Sequence, residues 1–313
     1  HGPGNGDELP EELAFKQKRL ATIKAAKAAL EAREEALHPG KPITDKKQIS
    51  FADEEARIMG KKGDFDYRYN GQISVDSDQH IIVGQHLSQN ANDKQEVKPA
   101  LVALKDAAGQ LPDEMSLDNG YYSGDNLEAL EQAEVDAYVA VDRGEQHEAD
   151  ALEHSERRLV KADFVYDEAS DSFRCPADQM LPLKTQNKAG QRLYQGEASI
   201  CQSCPYYPRC CRSKKGEART ITSDGQEAVR QQMRDKMGTA AAKGIYKQRK
   251  VIVEPVFGHI KNGGFRNISL RGKEKAAGEF SLVCAAHNLK KMVKAAVTGL
   301  VRPEPGHWVA QTG

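Results

Sequence analysis

The chain has 313 residues, with 45 Lys and Arg against 46 Asp and Glu and a formal net charge of −1. Hydrophobic residues make up 39% and charged residues 29%, which is typical of a folded protein with a polar surface and excludes a wholly disordered chain. No run approaches the roughly 18 apolar residues of a membrane span, and no charged-then-apolar leader is present, so we expect neither a membrane nor a secreted protein. The charges are unevenly spread. Cys201–Arg302 holds 21 Lys and Arg but 7 Asp and Glu, which indicates either a polyanionic partner or a solvated basic surface.

The first predicted elements are a long helix and a hairpin. Glu11–Leu37 is rich in Ala, Glu and Lys and lacks Gly and Pro, which predicts a helix. Its sparse apolar positions indicate a connector rather than a core helix. Further on, Tyr69–Val75 and His80–Val83 show a period of two and flank the turn-forming stretch DSD, which predicts a β-hairpin.

An alternation of helix and strand follows, at Lys94–Ala108, Glu114–Leu117, Asn126–Gln132 and Ala137–Val141. It predicts an α/β sheet with helices on its faces. Residues 163–219 contain short strand-like pieces and many turn residues, so they are interpreted as an insertion, after which three helices are predicted at about 225–237, 239–260 and 273–297. The predicted parts are a helical connector (1–45), the first part of the core (46–162), the insertion (163–219), the C-terminal helices of the core (220–302) and a tail (303–313).

The insertion holds five of the six cysteines of the chain. They are spaced as Cys175, then Cys201-Gln-Ser-Cys204, then Cys210-Cys211. Four thiolates with one CxxC pair suit tetrahedral zinc, which small loop-rich modules use in place of a core. The predicted ligands are Cys175, Cys201, Cys204 and Cys210, with Cys211 as the competitor for the fourth position. Buried free cysteines or a redox pair are the alternatives, and Cys284 is expected in the core of an apolar helix.

Two carboxylates stand out. Asp118 ends a short strand, where side chains face the catalytic edge of open α/β sheets, although an Asp before Gly is more often a turn former. Glu254 shares one helical stripe with Lys247, Lys250 and Lys261, which suits a site that holds a metal while contacting phosphates. A surface ladder of ion pairs is the structural alternative for that stripe. The proline that follows Glu254 predicts a kink or a restart of the helix there.

Several long motifs in order resemble the DDE transposases of bacterial insertion sequences. They are YNGQISVDSDQHIIVGQHLSQNANDKQ, LDNGYYSGDNLEAL, RCPADQ, RKVIVEPVFGHIKNGGFR and LRGKEKAAGEFSLVCAAHNLKKM, within residues 51–297. The resemblance implies an RNase H-like mixed sheet flanked by helices, interrupted by a zinc-ribbon-like module. It also implies a cytoplasmic bacterial enzyme that acts on double-stranded DNA as a homodimer and uses Mg²⁺ or Mn²⁺.

The resemblance also assigns roles to residues. It implies that Asp118 is the second catalytic carboxylate and Glu254 the third, both acting on the divalent cations that cut and rejoin DNA. It assigns DNA contacts to the following residues: Tyr246, Arg249, Lys250, Lys261, Arg266 and Arg271. Glu254 and Lys261 keep the family spacing, whereas Tyr246 lies one residue farther away and Lys250 takes the place usually held by Arg.

The position of the first catalytic Asp, which the resemblance also implies, can be explained in two ways. The hairpin at Tyr69–Val83 matches the second and third strands of the fold, and only Gln48–Phe51 resembles a strand upstream of it. We therefore expect a chain that starts after its first strand, and the alternative makes Asp76 the first carboxylate. The rival functions are a non-catalytic DNA-binding remnant of a transposase and a simple metal-dependent nuclease.

Overall fold

The computed structural model describes residues 11–61, 63–141, 157–188, 190–211 and 216–298, and the backbone of two further short strands near the C-terminus. The chain divides into two compact units. The first unit comprises His1–Ser74, Gln85–Ala91 and Gly258–Gly313, and the second comprises Val75–Gly84 and Asn92–Phe257. Within the described part of the chain, no helix is long and apolar enough to cross a membrane.

The first unit is built from helices and hairpins. Its elements are α1 (Glu11–Leu37), β1 (Arg57–Lys61), β2 (Asp64–Arg68), most of β3 (Asn70–Val75), the second half of β4 (Ile82–Ser88), α8 (Lys273–Val297), β12 (Val301–Glu304) and β13 (His307–Ala310). The predicted bounds of α1 and α8 are confirmed, as is the β3–β4 hairpin.

Two features of this unit differ from the sequence predictions. Gln48–Phe51 is not a strand, and the antiparallel β1–β2 hairpin follows it instead. Gly60, near the end of β1, and Gly63, directly before β2, have φ of 140° and 94°, a backbone region that favours glycine. The segment predicted as a tail (303–313) contributes to an antiparallel pair of strands, β12 and β13, which the prediction did not include. The Pro-Gly pair between them is a turn signal that the prediction did not use.

Asp53 ties three segments of the first unit together. Its carboxylate accepts hydrogen bonds from the Tyr69 hydroxyl at 2.9 Å and from the N–H groups of Gly272 and Glu55, both at 3.1 Å. Burial opposes ionisation of Asp53, but these donors outweigh it and hold the pKa of the carboxyl below its usual value. The loop before β1, the start of β3 and the start of α8 are therefore fixed by one charged group.

The second unit holds a parallel strand pair covered by helices. Its elements are α2 (Val97–Ala108), β5 (Glu114–Leu117), α3 (Gly124–Gln132), β6 (Asp136–Val139), α6 (Glu227–Gly238) and α7 (Ala240–Asn262) up to Phe257. β5 and β6 pair in parallel, with Leu117 opposite Val139. Leu117, Val139 and Leu130 are each 4% exposed or less and form the core with other apolar side chains of α2 and α3. α3 packs against α2, α6 and β6.

The α/β class is confirmed, and the predicted helices and strands of the second unit are present within a few residues. α2 ends as expected at Gly109, which adopts the left-handed conformation. β3 with β4 and β5 with β6 form two separate two-stranded sheets among the described residues. A single RNase H-like mixed sheet therefore stays a prediction.

The cysteine-rich segment forms a five-stranded antiparallel sheet in the second unit. Its strands are β7 (Val165–Asp167), β8 (Ser172–Arg174), β9 (Met180–Gln186), β10 (Arg192–Gln195) and β11 (Thr220–Ser223), and two short helices lie between β10 and β11, α4 (Ala198–Gln202) and α5 (Tyr207–Cys210). Phe164, Phe173 and Tyr194 are fully buried at its centre, and the rings of Phe173 and Tyr194 meet edge to face at 4.9 Å. The premise that this segment lacks a core was therefore wrong.

Pro255 lies inside α7, which the structure continues to Asn262. A proline has no N–H to donate, so the helix loses one internal hydrogen bond at this turn. The predicted restart of the helix at Pro255 is wrong, because Glu254 and its neighbours on both sides keep helical geometry. Buried Val256, directly after Pro255, belongs to the inner face of the helix.

A buried charge network joins the cysteine-rich sheet to α6. Glu227 is 1% exposed and accepts a hydrogen bond from Arg234 at 2.6 Å and one from the Ser223 hydroxyl at 3.1 Å. Lys161, in the turn before β7, also forms an ion pair with Glu227. Two cations and one hydroxyl therefore depend on one carboxylate that water does not reach.

Replacing Glu227 with Ala is expected to lower the free energy of unfolding by about 3–5 kcal/mol, because Arg234 would remain buried without its charge partner. Urea unfolding of the full chain measures this loss. The matched control is Glu131→Ala on the exposed side of α3, which should change stability by less than about 0.5 kcal/mol. Equal effects of the two substitutions would contradict the role of the network.

Candidate active site

Asp118 lies where β5 ends and the chain turns. It is the residue after buried Leu117 and caps a single 3-10 turn, Asn119–Tyr121. Its Oδ1 accepts the N–H of Gly120 at 2.9 Å, and its side chain is 39% exposed. The sequence prediction that Asp118 occupies the end of a strand is confirmed, and the turn-forming role also applies. One carboxylate oxygen is held by the turn, while the other is directed toward α7.

α7 brings a cation to Asp118. Arg249 Nη2 lies 3.1 Å from Asp118 Oδ2, although the two residues are 131 positions apart in the sequence. Tyr246, one turn earlier on α7, contacts the same guanidinium. Burial raises the pKa of the Tyr246 hydroxyl, the Arg249 charge opposes this, and Asp118 adds to the rise. Tyr246, Arg249 and Asp118 therefore form one connected group.

Asp93 and Tyr121 complete this group, and sequence reasoning missed both. A Cβ placed on Gly120 would lie 2.7 Å from Asp93 Oδ2 and 2.9 Å from Asp118 Oδ1, so the two carboxylates approach the same point. Burial, followed by the charges of Asp93 and Asp118, raises the pKa of the Tyr121 hydroxyl above its usual value. An Asp shortly before a helix is usually interpreted as a cap, so the local sequence around Asp93 gives no signal of a site.

Buried Asn126 of α3 fixes this arrangement. Its Nδ2 donates to the backbone oxygens of Asp93 and Tyr121, both at 2.9 Å, and its Oδ1 accepts the N–H of Val97 at 3.3 Å. Asn126 is 1% exposed, so water does not compete for these hydrogen bonds. The loop before α2 and the turn after β5 are held together by one amide.

Glu254 lies on the exposed face of α7, together with Lys247 and Lys250. It follows Arg249 by five residues, which places it about 140° around the helix axis from the side chain that meets Asp118. The stripe of Lys247, Lys250 and Glu254 is therefore present as the spacing predicts. The structure brings Arg249 and Tyr246 to Asp118, and it directs Glu254 to another side of the helix.

Three predicted DNA-contacting residues belong to the first unit. Lys261 is exposed near the end of α7, and Arg266 and Arg271 are exposed in the connection between α7 and α8. These side chains are available to solvent.

Asp76 is a turn residue. Its Oδ1 accepts the N–H groups of Asp78 and Gln79 at 2.9 and 2.8 Å, and its Oδ2 accepts the N–H of Ile81 at 2.5 Å. Both oxygens are thus engaged by the backbone of the β3–β4 turn. The strand before Asp76 is β3, and β1 and β2 precede it in the chain.

The five cysteines of the insertion line one small cavity of about 40 Å³. Cys175 lies in the β8–β9 turn, and its Sγ accepts the N–H of Gln179 at 3.4 Å. Cys201 lies in α4, while Cys210 ends α5 and is followed by Cys211, whose thiol contacts those of both Cys210 and Cys201. Within the described residues, however, no three His, Cys, Asp or Glu side chains are spaced to hold a metal ion.

The thiols of Cys210 and Cys211 are protonated at neutral pH when no metal is present. Burial raises the pKa of Cys210 to about 12, with a further contribution from Cys211. Burial alone raises the pKa of Cys284 in α8 to about 11, and this thiol is 3% exposed, in agreement with its predicted core position. Cys210 contacts apolar side chains of the sheet core, which accounts for its burial.

The fold and site define an α/β protein in which a carboxylate at a strand end meets an arginine from a basic helix. Residues 174–293 match the family model described as "Transposase DDE domain". This segment includes most of the cysteine-rich sheet, α6, α7 and most of α8, whereas Asp118 precedes it. The resemblance to the DDE transposases is therefore confirmed, and the match covers this segment of the chain. No curated protein and no solved structure matches the chain.

Alkylation of Cys210 should be slow in the native, chelator-treated protein. The thiolate is the reactive species, so a pKa of about 12 predicts at least a roughly hundredfold slower reaction with iodoacetamide at pH 8 than in the unfolded chain. Peptide mass spectrometry measures both rates, and the native rate should rise as the pH increases. Similar native and unfolded rates at pH 8 would contradict the raised pKa of this half-buried thiol.

Proposed function

We propose that this chain is the catalytic portion of a transposase that cleaves the ends of its element and joins them to target DNA with the help of divalent cations. The Asp118 site is the observation that carries the proposal. A carboxylate at the end of a strand, an arginine and a tyrosine from a basic helix are grouped around one partly exposed point. The family match over residues 174–293 supports the same assignment.

The chemistry of the donor set at Asp118 suits a magnesium ion. Asp118 and Asp93 offer hard carboxylate oxygens beside the same point, and Mg²⁺ is commonly held by one or two carboxylates, waters and substrate phosphates rather than by a full protein cage. A divalent cation bound there supplies Lewis-acid activation for in-line attack on a phosphodiester. We assign Asp118 and Glu254 to this catalysis, with Glu254 acting from the exposed face of α7.

The basic side chains would hold the DNA backbone. Lys250 lies beside Glu254 on the exposed face of α7, and Lys261, Arg266 and Arg271 are exposed as well. Arg249 and Tyr246 adjoin Asp118, so they would contact the phosphate or nucleotide at the cut. Cleavage and joining of two element ends requires two active sites, and we therefore propose a homodimer on DNA in the bacterial cytoplasm.

Replacing Asp118 with Asn is expected to reduce Mg²⁺-dependent cleavage of DNA containing the element ends by at least about a thousandfold, because the charge that attracts the cation is lost. Glu254→Ala should reduce cleavage similarly, while both variants keep duplex binding in a gel-shift assay. Glu114→Ala, at the opposite exposed end of β5, is the matched control and should cleave at the wild-type rate.

A non-catalytic DNA-binding protein is the second candidate. It is favoured by the position of Glu254, which is directed away from Asp118, and by the lack of any metal-spaced group of three acids in the described residues. In that case the wild-type chain binds duplex DNA without cleaving it, and Glu254→Ala changes neither property. Cleavage without joining of the ends would instead identify a nuclease.

We also propose a structural zinc ion at Cys175, Cys201 and Cys204, with Cys210 or Cys211 as the fourth ligand. Thiolates are the soft ligands that zinc prefers, and all five cysteines of the segment line one cavity. In the described residues these side chains are not spaced to hold a metal ion, so zinc binding would require the cysteine loops to move together. The module has its own aromatic core, so zinc would order the cysteine loops rather than replace the core.

Metal analysis of protein purified without added zinc should find about one equivalent per chain. Cys201→Ser is expected to abolish this zinc, because a tetrahedral site tolerates the loss of a thiolate poorly. Cys284→Ser, in the core of α8, is the control and should retain it. Well below one equivalent in the wild-type protein would overturn the zinc proposal.

A further inference from the structure

The ion pair between Asp118 and Arg249 has a consequence for metal binding, if Asp118 serves the function proposed above. The N–H of Gly120 donates a hydrogen bond to Oδ1 of Asp118, and the guanidinium of Arg249 donates one to Oδ2. Both carboxylate oxygens therefore have a donor in the chain itself. A cation that approaches Asp118 has to compete with the guanidinium of Arg249.

The charges around Asp118 also indicate that Arg249 opposes the binding of a cation. Asp93 and Asp118 place two negative charges beside Gly120, and Arg249 supplies the positive charge that partly neutralises them. A divalent cation added to this group would meet the repulsion of Arg249 at close range. Metal binding at Asp118 is thus weaker while Arg249 stays in place.

DNA offers Arg249 another partner. A guanidinium binds a phosphate with two parallel hydrogen bonds, and it forms only one with Asp118 in this structure. The pair is partly exposed, with Asp118 39% and Arg249 19% accessible, and such ion pairs are easily displaced. Exposed Lys247 and Lys250 lie on another face of the same helix, and their charges would attract the phosphate backbone toward α7 as a whole.

We infer that Arg249 is an internal counter-ion of Asp118 that a DNA phosphate displaces, so that divalent-cation binding at Asp118 is coupled to DNA binding. Arg249 is then a positioning residue with two states. In the free protein it neutralises the carboxylates, and on DNA it holds a phosphate and exposes Asp118 to the cation. Tyr246, which contacts Arg249, stays beside it in the free state.

The test is Mn²⁺ binding to the full chain, measured by electron paramagnetic resonance at low salt, with and without a short duplex of mixed sequence. The wild-type protein should bind Mn²⁺ at Asp118 at least about tenfold more tightly when the duplex is present, a coupling of the usual size between two sites. Arg249→Ala should tighten Mn²⁺ binding without DNA by a similar factor and remove most of the coupling. Arg249→Gln, which keeps a polar side chain of similar length, repeats the test if the first variant unfolds.

Two controls separate this inference from the proposed function. Asp118→Asn defines the Mn²⁺ that binds elsewhere or to the duplex, and Lys243→Ala, an exposed lysine on the same helix, should behave as the wild type. If Asp118→Asn changes Mn²⁺ binding in neither condition, the proposed function fails. If Asp118 is needed but Arg249→Ala leaves both affinities unchanged, or weakens Mn²⁺ binding without DNA, the counter-ion role is overturned.

Discussion

The contact between Asp118 and Arg249 connects the two parts of the sequence that carry the proposed chemistry. It joins the end of β5 to α7 across 131 residues, and the cysteine-rich sheet lies between them in the chain. The 3-10 turn after Asp118 is held in place by Asn126. The buried amide of Asn126 donates hydrogen bonds to the backbone oxygens of Asp93 and Tyr121. The site is therefore held by hydrogen bonds from the packed core of the second unit.

The cysteine-rich sheet depends on a different set of forces. Its aromatic core and the hydroxyls of Tyr166 and Tyr194, which both bond to Asp171, already stabilise the strands. Glu227 of α6 then joins the helix to the sheet through the Ser223 hydroxyl of β11 and an ion pair with Lys161 before β7. The cysteines lie at the border of this core, so any metal they bind acts on the loops around α4 and α5.

Local patterns in the sequence were sufficient for most of the elements. The predicted first and last residues of β5 and α8 agree with the structure. They follow from a short apolar run for β5 and from a long segment without proline for α8. The β1–β2 hairpin was not predicted. β1, RIMGK, has no period of two and includes a glycine, whereas β2, DFDYR, alternates charged and aromatic residues, a strand signal that the prediction did not use. The core of the cysteine-rich sheet was missed because its aromatic side chains come from three short, separate strands.

The site itself could be predicted only in part. Asp118 follows from its position after a strand, and the basic stripe of α7 follows from helical spacing. Asp93 and the pairing of Arg249 with Asp118 have no local signal, because they depend on how distant segments pack. Helical spacing placed Glu254 with the lysines correctly, but it could not show that this face is directed away from Asp118.

A crystal structure of the full chain with duplex DNA and Mn²⁺ tests the catalytic role of Asp118 most directly. The anomalous signal of manganese should lie about 2.0–2.2 Å from an oxygen of Asp118, close to the distance at which carboxylates bind Mg²⁺. Arg249 should then contact a DNA phosphate. A DNA complex in which the metal is bound away from both Asp118 and Glu254 would contradict the transposase mechanism proposed for this chain.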